Sequence, residues 1–145
     1  MIKYNELLYS FGKALKEQFK DCKLRIKKNQ EEIKEPTFYV EVRALNTNSY
    51  KPYVDKLVNI SITYTDKVVD GEKLNNVLND LESVFDLGIK VKDTFLMFKS
   101  KNNTMNDDFL TLNLTINYKD DRDIVDENDY YSELMEELYV DFNRN

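Results

Sequence analysis

Residues 110–118 alternate without a break. Leu110, Leu112, Leu114, Ile116 and Tyr118 are apolar, and the intervening Thr111, Asn113, Thr115 and Asn117 are polar. Successive side chains of a strand leave opposite faces, so this run has one face for a core and one for water. Strands of that kind belong to an antiparallel sheet covered on one side, because parallel sheets are buried on both faces and read as continuous apolar runs.

The same period recurs upstream. Within Tyr53–Thr65, Ile60, Ile62 and Tyr64 alternate with Ser61, Thr63 and Thr65. Within residues 37–45, Phe38, Val40, Val42 and Ala44 share a face, with Tyr39, Glu41 and Arg43 on the other. Pro36 pushes its predecessor toward extended geometry, which suits entry into this strand. A shorter alternation covers residues 22–28, and Ile89, Val91 and residues 94–99 add further extended apolar sequence. The polar runs 46–52 and 100–106 read as turn-rich connections.

Two segments have the helical period instead. Tyr4, Leu7, Leu8, Phe11, Ala14, Leu15 and Phe19 recur at steps of three and four over residues 3–20. Leu74, Val77, Leu78, Leu81, Val84 and Phe85 do so after Asp70-Gly71. Asp70 is the expected N-cap of that helix and Gly88 its expected left-handed C-terminal cap. The order is α-β-β-β-α-β-β, then an acidic tail. It predicts an α+β fold: an antiparallel or mixed sheet of about four to five strands with two helices packed on one face. Residues 1–126 are expected to form a single domain and residues 127–145 an acidic C-terminal extension. In that extension Tyr131, Leu134, Met135 and Leu138 fit a helix, while Leu138, Val140 and Phe142 fit an extended arm.

Composition removes many mechanisms. The chain has no histidine, one cysteine and three widely spaced glycines. Without histidine there is no Ser-His-Asp triad, no Cys-His pair and no imidazole metal site. Gly12, Gly71 and Gly88 cannot assemble a nucleotide-binding glycine loop. Cys22 cannot form an internal disulfide and reads as a small buried hydrophobe at the start of a strand. Started at Asp121, a calcium-loop template meets Val125 and Asp126 where it needs an oxygen ligand and a glycine, so residues 120–127 read as a solvated loop after a strand. Nothing places two carboxylates, such as Asp107 and Asp108, in one cleft for acid–base work. No catalytic, cofactor-binding or metal-ligating residue is therefore assigned, and the chain is not expected to be an enzyme. No apolar run approaches membrane-spanning length. The first residues have no apolar stretch or cleavage pattern of a signal peptide, so the matches to the glycosylation pattern at Asn59, Asn102 and Asn113 read as chance.

The formal charge of −6 is unevenly placed. Residues 1–34 hold nine basic and five acidic residues, 9 − 5 = +4; residues 120–145 hold two basic and ten acidic, 2 − 10 = −8. Nucleic acid is a poor partner for such a chain. Opposite-signed ends are solvated surface or, alternatively, complementary faces of identical subunits joined head to tail. Ten tyrosines with no tryptophan are either ordinary half-buried residues of a lysine- and asparagine-rich composition or interface residues, since tyrosine combines apolar area with a polar tip and is enriched at protein interfaces. The candidate interface residues are Tyr50 and Tyr53, which flank Lys51-Pro52, and Tyr130, Tyr131, Leu134 and Leu138 in the tail.

Certain of these segments resemble a known family. A helix at the start leads into a short basic strand. Lys28-Asn29-Gln30-Glu31-Glu32-Ile33-Lys34-Glu35-Pro36-Thr37-Phe38-Tyr39-Val40 then resembles a pattern of glutamine, a few residues, proline, an aromatic and alternating apolar residues. Leu57-Val58-Asn59-Ile60-Ser61-Ile62-Thr63-Tyr64 is similar to the family's second long strand, which also ends in tyrosine, and Leu110 to Tyr118 to its last. Over residues 2–142 the chain resembles the tail terminator, or tail completion, proteins of phages and phage-derived particles of Gram-positive bacteria. The resemblance implies a structural virion protein made in the bacterial host cytoplasm and placed at the head-proximal end of the tail. It implies a homo-oligomeric ring, usually a hexamer, that stops polymerisation of the tail tube. The implied partners are the tail tube protein, a head–tail connector where a head is attached, and the last sheath ring in contractile tails. In headless particles the ring closes the end. A small acidic adaptor or inhibitor that binds a cellular protein is the alternative.

Overall fold

The computed structural model describes residues 1–26 and 34–121. The order is α1 (Tyr4–Gln18), β1 (Lys23–Arg25), β2 (Thr37–Ser49), β3 (Tyr53–Thr65), α2 (Gly71–Val84), β4 (Gly88–Val91), β5 (Thr94–Met105) and β6 (Phe109–Asp121). The six strands form one mixed sheet in the order β1-β2-β3-β6-β5-β4. Only β1 and β2 are parallel; every other pair is antiparallel. The fold is α+β with both helices on one sheet face, as the alternation requires.

The core lies between that face and the helices. Val58, Ile60 and Ile62 of β3 and Leu110, Leu112, Leu114 and Ile116 of β6 are buried there together with Leu7, Phe11 and Leu15 of α1 and Leu74 and Leu81 of α2. Phe11 joins the layers: its ring centroid lies 5.2 Å from that of Phe85 and 6.2 Å from that of Phe98. The opposite face carries a polar ladder between β3 and β6. The Ser61 hydroxyl donates to Asn113 Oδ1 at 2.8 Å, and the Thr63 and Thr111 hydroxyls lie 3.0 Å apart. This ladder pairs polar side chains across the two central strands on the face away from the helices, where Tyr39 and Thr63 are themselves buried.

Asp70 caps α2 as expected, accepting from the Lys73 N–H at 2.8 Å. Gly88 departs from expectation. The carbonyls just past the helix are met by a cation from another element: Lys101 Nζ donates to the Phe85 and Asp86 carbonyls at 3.3 and 2.8 Å. Gly88 instead opens β4, where any Cβ would collide with the backbone carbonyl of Leu96. Its role is close strand approach, and no glycine among the described residues has a positive φ.

Six strands exceed the expected four to five for one reason. Lys92, at φ 54°, turns the chain between β4 and β5, dividing what reads in sequence as one extended stretch. The polar runs 46–52 and 100–106 are mostly strand: β2 continues to Ser49 and β5 to Met105, leaving residues 50–52 and 106–108 as the turns. In the second turn Asn106 Oδ1 accepts from the Asp108 and Phe109 N–H groups at 2.8 and 2.9 Å, a side-chain mimic of a backbone turn. Both extensions follow a bulge, after Ala44 in β2 and after Phe98 in β5. Each bulge adds one residue and inverts the side-chain parity beyond it, so no single alternation runs through either strand.

Candidate assembly surfaces

With no candidate for catalysis in the sequence, the surfaces that could join this chain to others were built from exposed side chains and open backbone. At the β2–β3 turn, the Tyr50 N–H donates to the Tyr53 carbonyl at 2.8 Å, and the two rings lie 4.9 Å apart. Lys119 Nζ stands 4.9 Å from the centre of the Tyr53 ring. Tyr50 remains exposed, so the turn presents an aromatic pair rigidified by its own stacking. The other interface candidates, Tyr130, Tyr131, Leu134 and Leu138, lie outside the described residues, as do the conformation of the tail and the boundary at 126.

A buried polar centre lies beside that turn. Asp120, expected in a solvated loop, is the penultimate residue of β6 and only 8% exposed. Its carboxylate accepts from the Ile2 N–H at 2.7 Å, and Lys56 Nζ is 4.0 Å away. Lys56 also lies 4.9 Å from the centre of the Tyr4 ring. Burial pushes the neighbouring Tyr118 hydroxyl well above its ordinary value, with Tyr4 and Asp120 adding to the shift. The cluster ties the start of α1 to the end of β6, the last strand before the acidic stretch of the sequence.

A second polar pair fixes the entry to α2. Burial raises the Asp66 pKa, but the Lys73 ammonium and the Lys67 N–H outweigh it and hold the carboxyl below its usual range. Lys73 is raised in turn, chiefly by its hydrogen bond to Asp66. Cys22 nearby is half-buried, and burial, reinforced by Asp21, pushes its thiol up, which suits a packed side chain better than a nucleophile.

Sequence reasoning missed the exposed apolar residues. Leu45 is 51% exposed, Leu87 63% and Met97 63%; Phe95 is also exposed. Phe95 and Met97 flank the buried Leu96, so the alternation rule already sends them to the outer face. Leu45 had a subtler signal: it follows Val40, Val42 and Ala44 out of step, as a bulged residue does. Alongside α1, Leu8, Gly12, Leu24 and Val40 floor a shallow apolar groove rimmed by Lys13 and Lys16. No helix among the described residues is long and apolar enough to cross a membrane.

Comparison with known proteins adds the family. Residues 6–129 match the model of a family described as phage tail terminator protein. No curated protein matches the chain at a significant level. One solved chain without a descriptive name aligns at 13% identity with a TM-score of 0.46, covering 87% of this chain and 100% of that one. The family match extends from α1 through β6, across the whole sheet and both helices. The chain therefore belongs to the phage tail terminator family and is a structural component of a phage tail.

Proposed function

We propose that this chain forms a homo-oligomeric ring, expected to be a hexamer, that caps the head-proximal end of a phage tail tube and stops its polymerisation. The ring then presents its far surface to the head–tail connector where a head is attached, and touches the last sheath ring where the tail contracts. Family membership supports the tail role. The observation that carries ring formation is a sheet with a stretch on each of its two edges that no described strand covers, flanked by exposed apolar residues. Natural proteins blunt or cover long edges because unpaired backbone groups recruit further strands. Two different surfaces that meet heterologously generate a closed ring when the rotation between copies closes. In this reading the Tyr50–Tyr53 pair, and Tyr130, Tyr131, Leu134 and Leu138 of an acidic extension over residues 127–145, serve as contacts to neighbours in the tail.

The test uses the tail tube protein of the same particle. Purified chain added during tube polymerisation is expected to cap ends and shorten the tubes in a dose-dependent way, with rings visible at one end by electron microscopy. Unchanged tube lengths with bare ends overturn the proposal.

A further inference from the structure

Among the described residues each sheet edge is covered along only part of its length, three of the thirteen residues of β2 and four of the twelve of β5, and the covered parts lie at opposite ends. On one edge β1 pairs with Thr37, Phe38 and Tyr39 of β2; among the described residues no strand pairs with the outer side of β2 from Val40 to Ser49. On the other, β4 pairs with Thr94 to Met97 of β5, and none of the described residues pairs with its outer side from Lys99 to Met105.

The cross-strand register gives the relative heights. Ala44, Val58, Ile116 and Phe98 form one row across the sheet. Toward the β2–β3 turn, Asn48 lies on the row of Asp55 and Lys119, three beyond Ala44. On the other edge the paired rows with β6 begin at Phe98; Phe95, three residues earlier along β5, pairs with Lys90 of β4, so counting residues along β5 brings Lys90 to about the height of Asn48. In the opposite direction Tyr39, Thr63, Thr111 and Thr104 share a row, and Arg25 of β1 sits beside Tyr39.

We propose that the two partly covered edges are the two sides of one joint between neighbouring copies of this chain, set side by side with no shift along the strands. This deepens the ring reading above and rests on it. β4 of one copy fills the notch beside residues 45–49 of β2 in the next, running parallel to it. β1 of that next copy fills the notch beside residues 100–105 of β5 in the first, running antiparallel. Both notches receive a short strand at the height where no described strand covers the edge, so backbone pairing supplies attraction and the step supplies register. The bulged Leu45 comes level with Leu87, whose carbonyl accepts from the Phe98 N–H at 2.8 Å, and with Met97. Three exposed apolar side chains are then buried together. A joint without shift along the strands suits copies related by rotation, and it closes into a ring where the angle between copies divides a full turn.

The test is disulfide trapping in the full-length chain carrying Cys22→Ser, assembled on tail tubes. Asn48→Cys with Lys90→Cys, or Arg25→Cys with Thr104→Cys, is expected to give a ladder of covalent multimers on mild oxidation, whereas each single substitution gives none. Dimers from a single substitution, or rings on the tubes that yield no ladder with either pair, overturn the joint and leave the ring reading standing. If the unmodified chain forms no oligomer on tubes, the ring reading fails and the joint with it.

Discussion

Ala44 and Phe98 occupy the same row of the sheet, linked through Val58 and Ile116, and a bulge follows each of them. The two outer strands of the antiparallel core thus lose regular pairing at one height, on opposite edges. From that height the two strands run on in opposite directions, β2 toward its turn with β3 and β5 toward its turn with β6, each as an exposed arm rich in asparagine, serine and threonine.

Leu45 marks that height at the surface. Leu45→Lys is expected to leave stability within about 0.5 kcal/mol, since the side chain is half exposed in the monomer. Tube capping should nonetheless be strongly reduced. Thermal melting and tube-length counts on the same preparation separate the two effects; a large loss of stability would show that Leu45 packs within its own subunit.

Phe11 is the reverse case, fully buried and in ring contact with Phe85 and Phe98. Phe11→Ala is expected to cost about 3–5 kcal/mol, because the cavity opens between helix and sheet where neither can collapse. Urea unfolding should show a lower midpoint at an unchanged slope.

At Gly88 the expected effect is local. Gly88→Ala forces a Cβ against the Leu96 carbonyl and should cost about 1–3 kcal/mol, with β4 displaced. Amide exchange should quicken at Phe98, whose N–H is bonded to the Leu87 carbonyl, before it quickens in β3.

These elements differ in how readable they were in the sequence. Both helices, Asp70 as N-cap and the strands β3 and β6 were legible, because a half-buried element must repeat its apolar residues at its own period. The far halves of β2 and β5 were not. Their side chains meet water on both faces and keep no alternation, and the bulges at Leu45 and Lys99 invert parity where a pattern might have continued. The pairing of Lys23–Arg25 with Thr37–Tyr39 depends on partners beyond an intervening loop, which local sequence does not encode. Asp120 looked like part of an acidic loop because its partners, Ile2 and Lys56, lie far from it in the chain. Of the interface candidates, only Tyr50 and Tyr53 fall within the described residues.

The Asp66–Lys73 pair gives a pH prediction. Asp66 has a lowered folded pKa, so its contribution is complete above the ordinary carboxylate value and is lost as pH falls through the folded one. Lys73 is raised, so its share is complete below the ordinary lysine value and is lost as pH rises through its folded one. The stability difference between wild type and Asp66→Asn should be about 1 kcal/mol and flat from about pH 5 to 9, narrowing at both extremes. A difference that grows on acidification would contradict the pairing.

The role of the chain as a terminator is tested most directly by the length of the tails made without it. Particles from cells lacking the gene, measured by electron microscopy, are expected to carry overlong tails of widely varying length, restored to uniformity when the gene is supplied in trans. Tails of normal, uniform length in its absence would contradict that role.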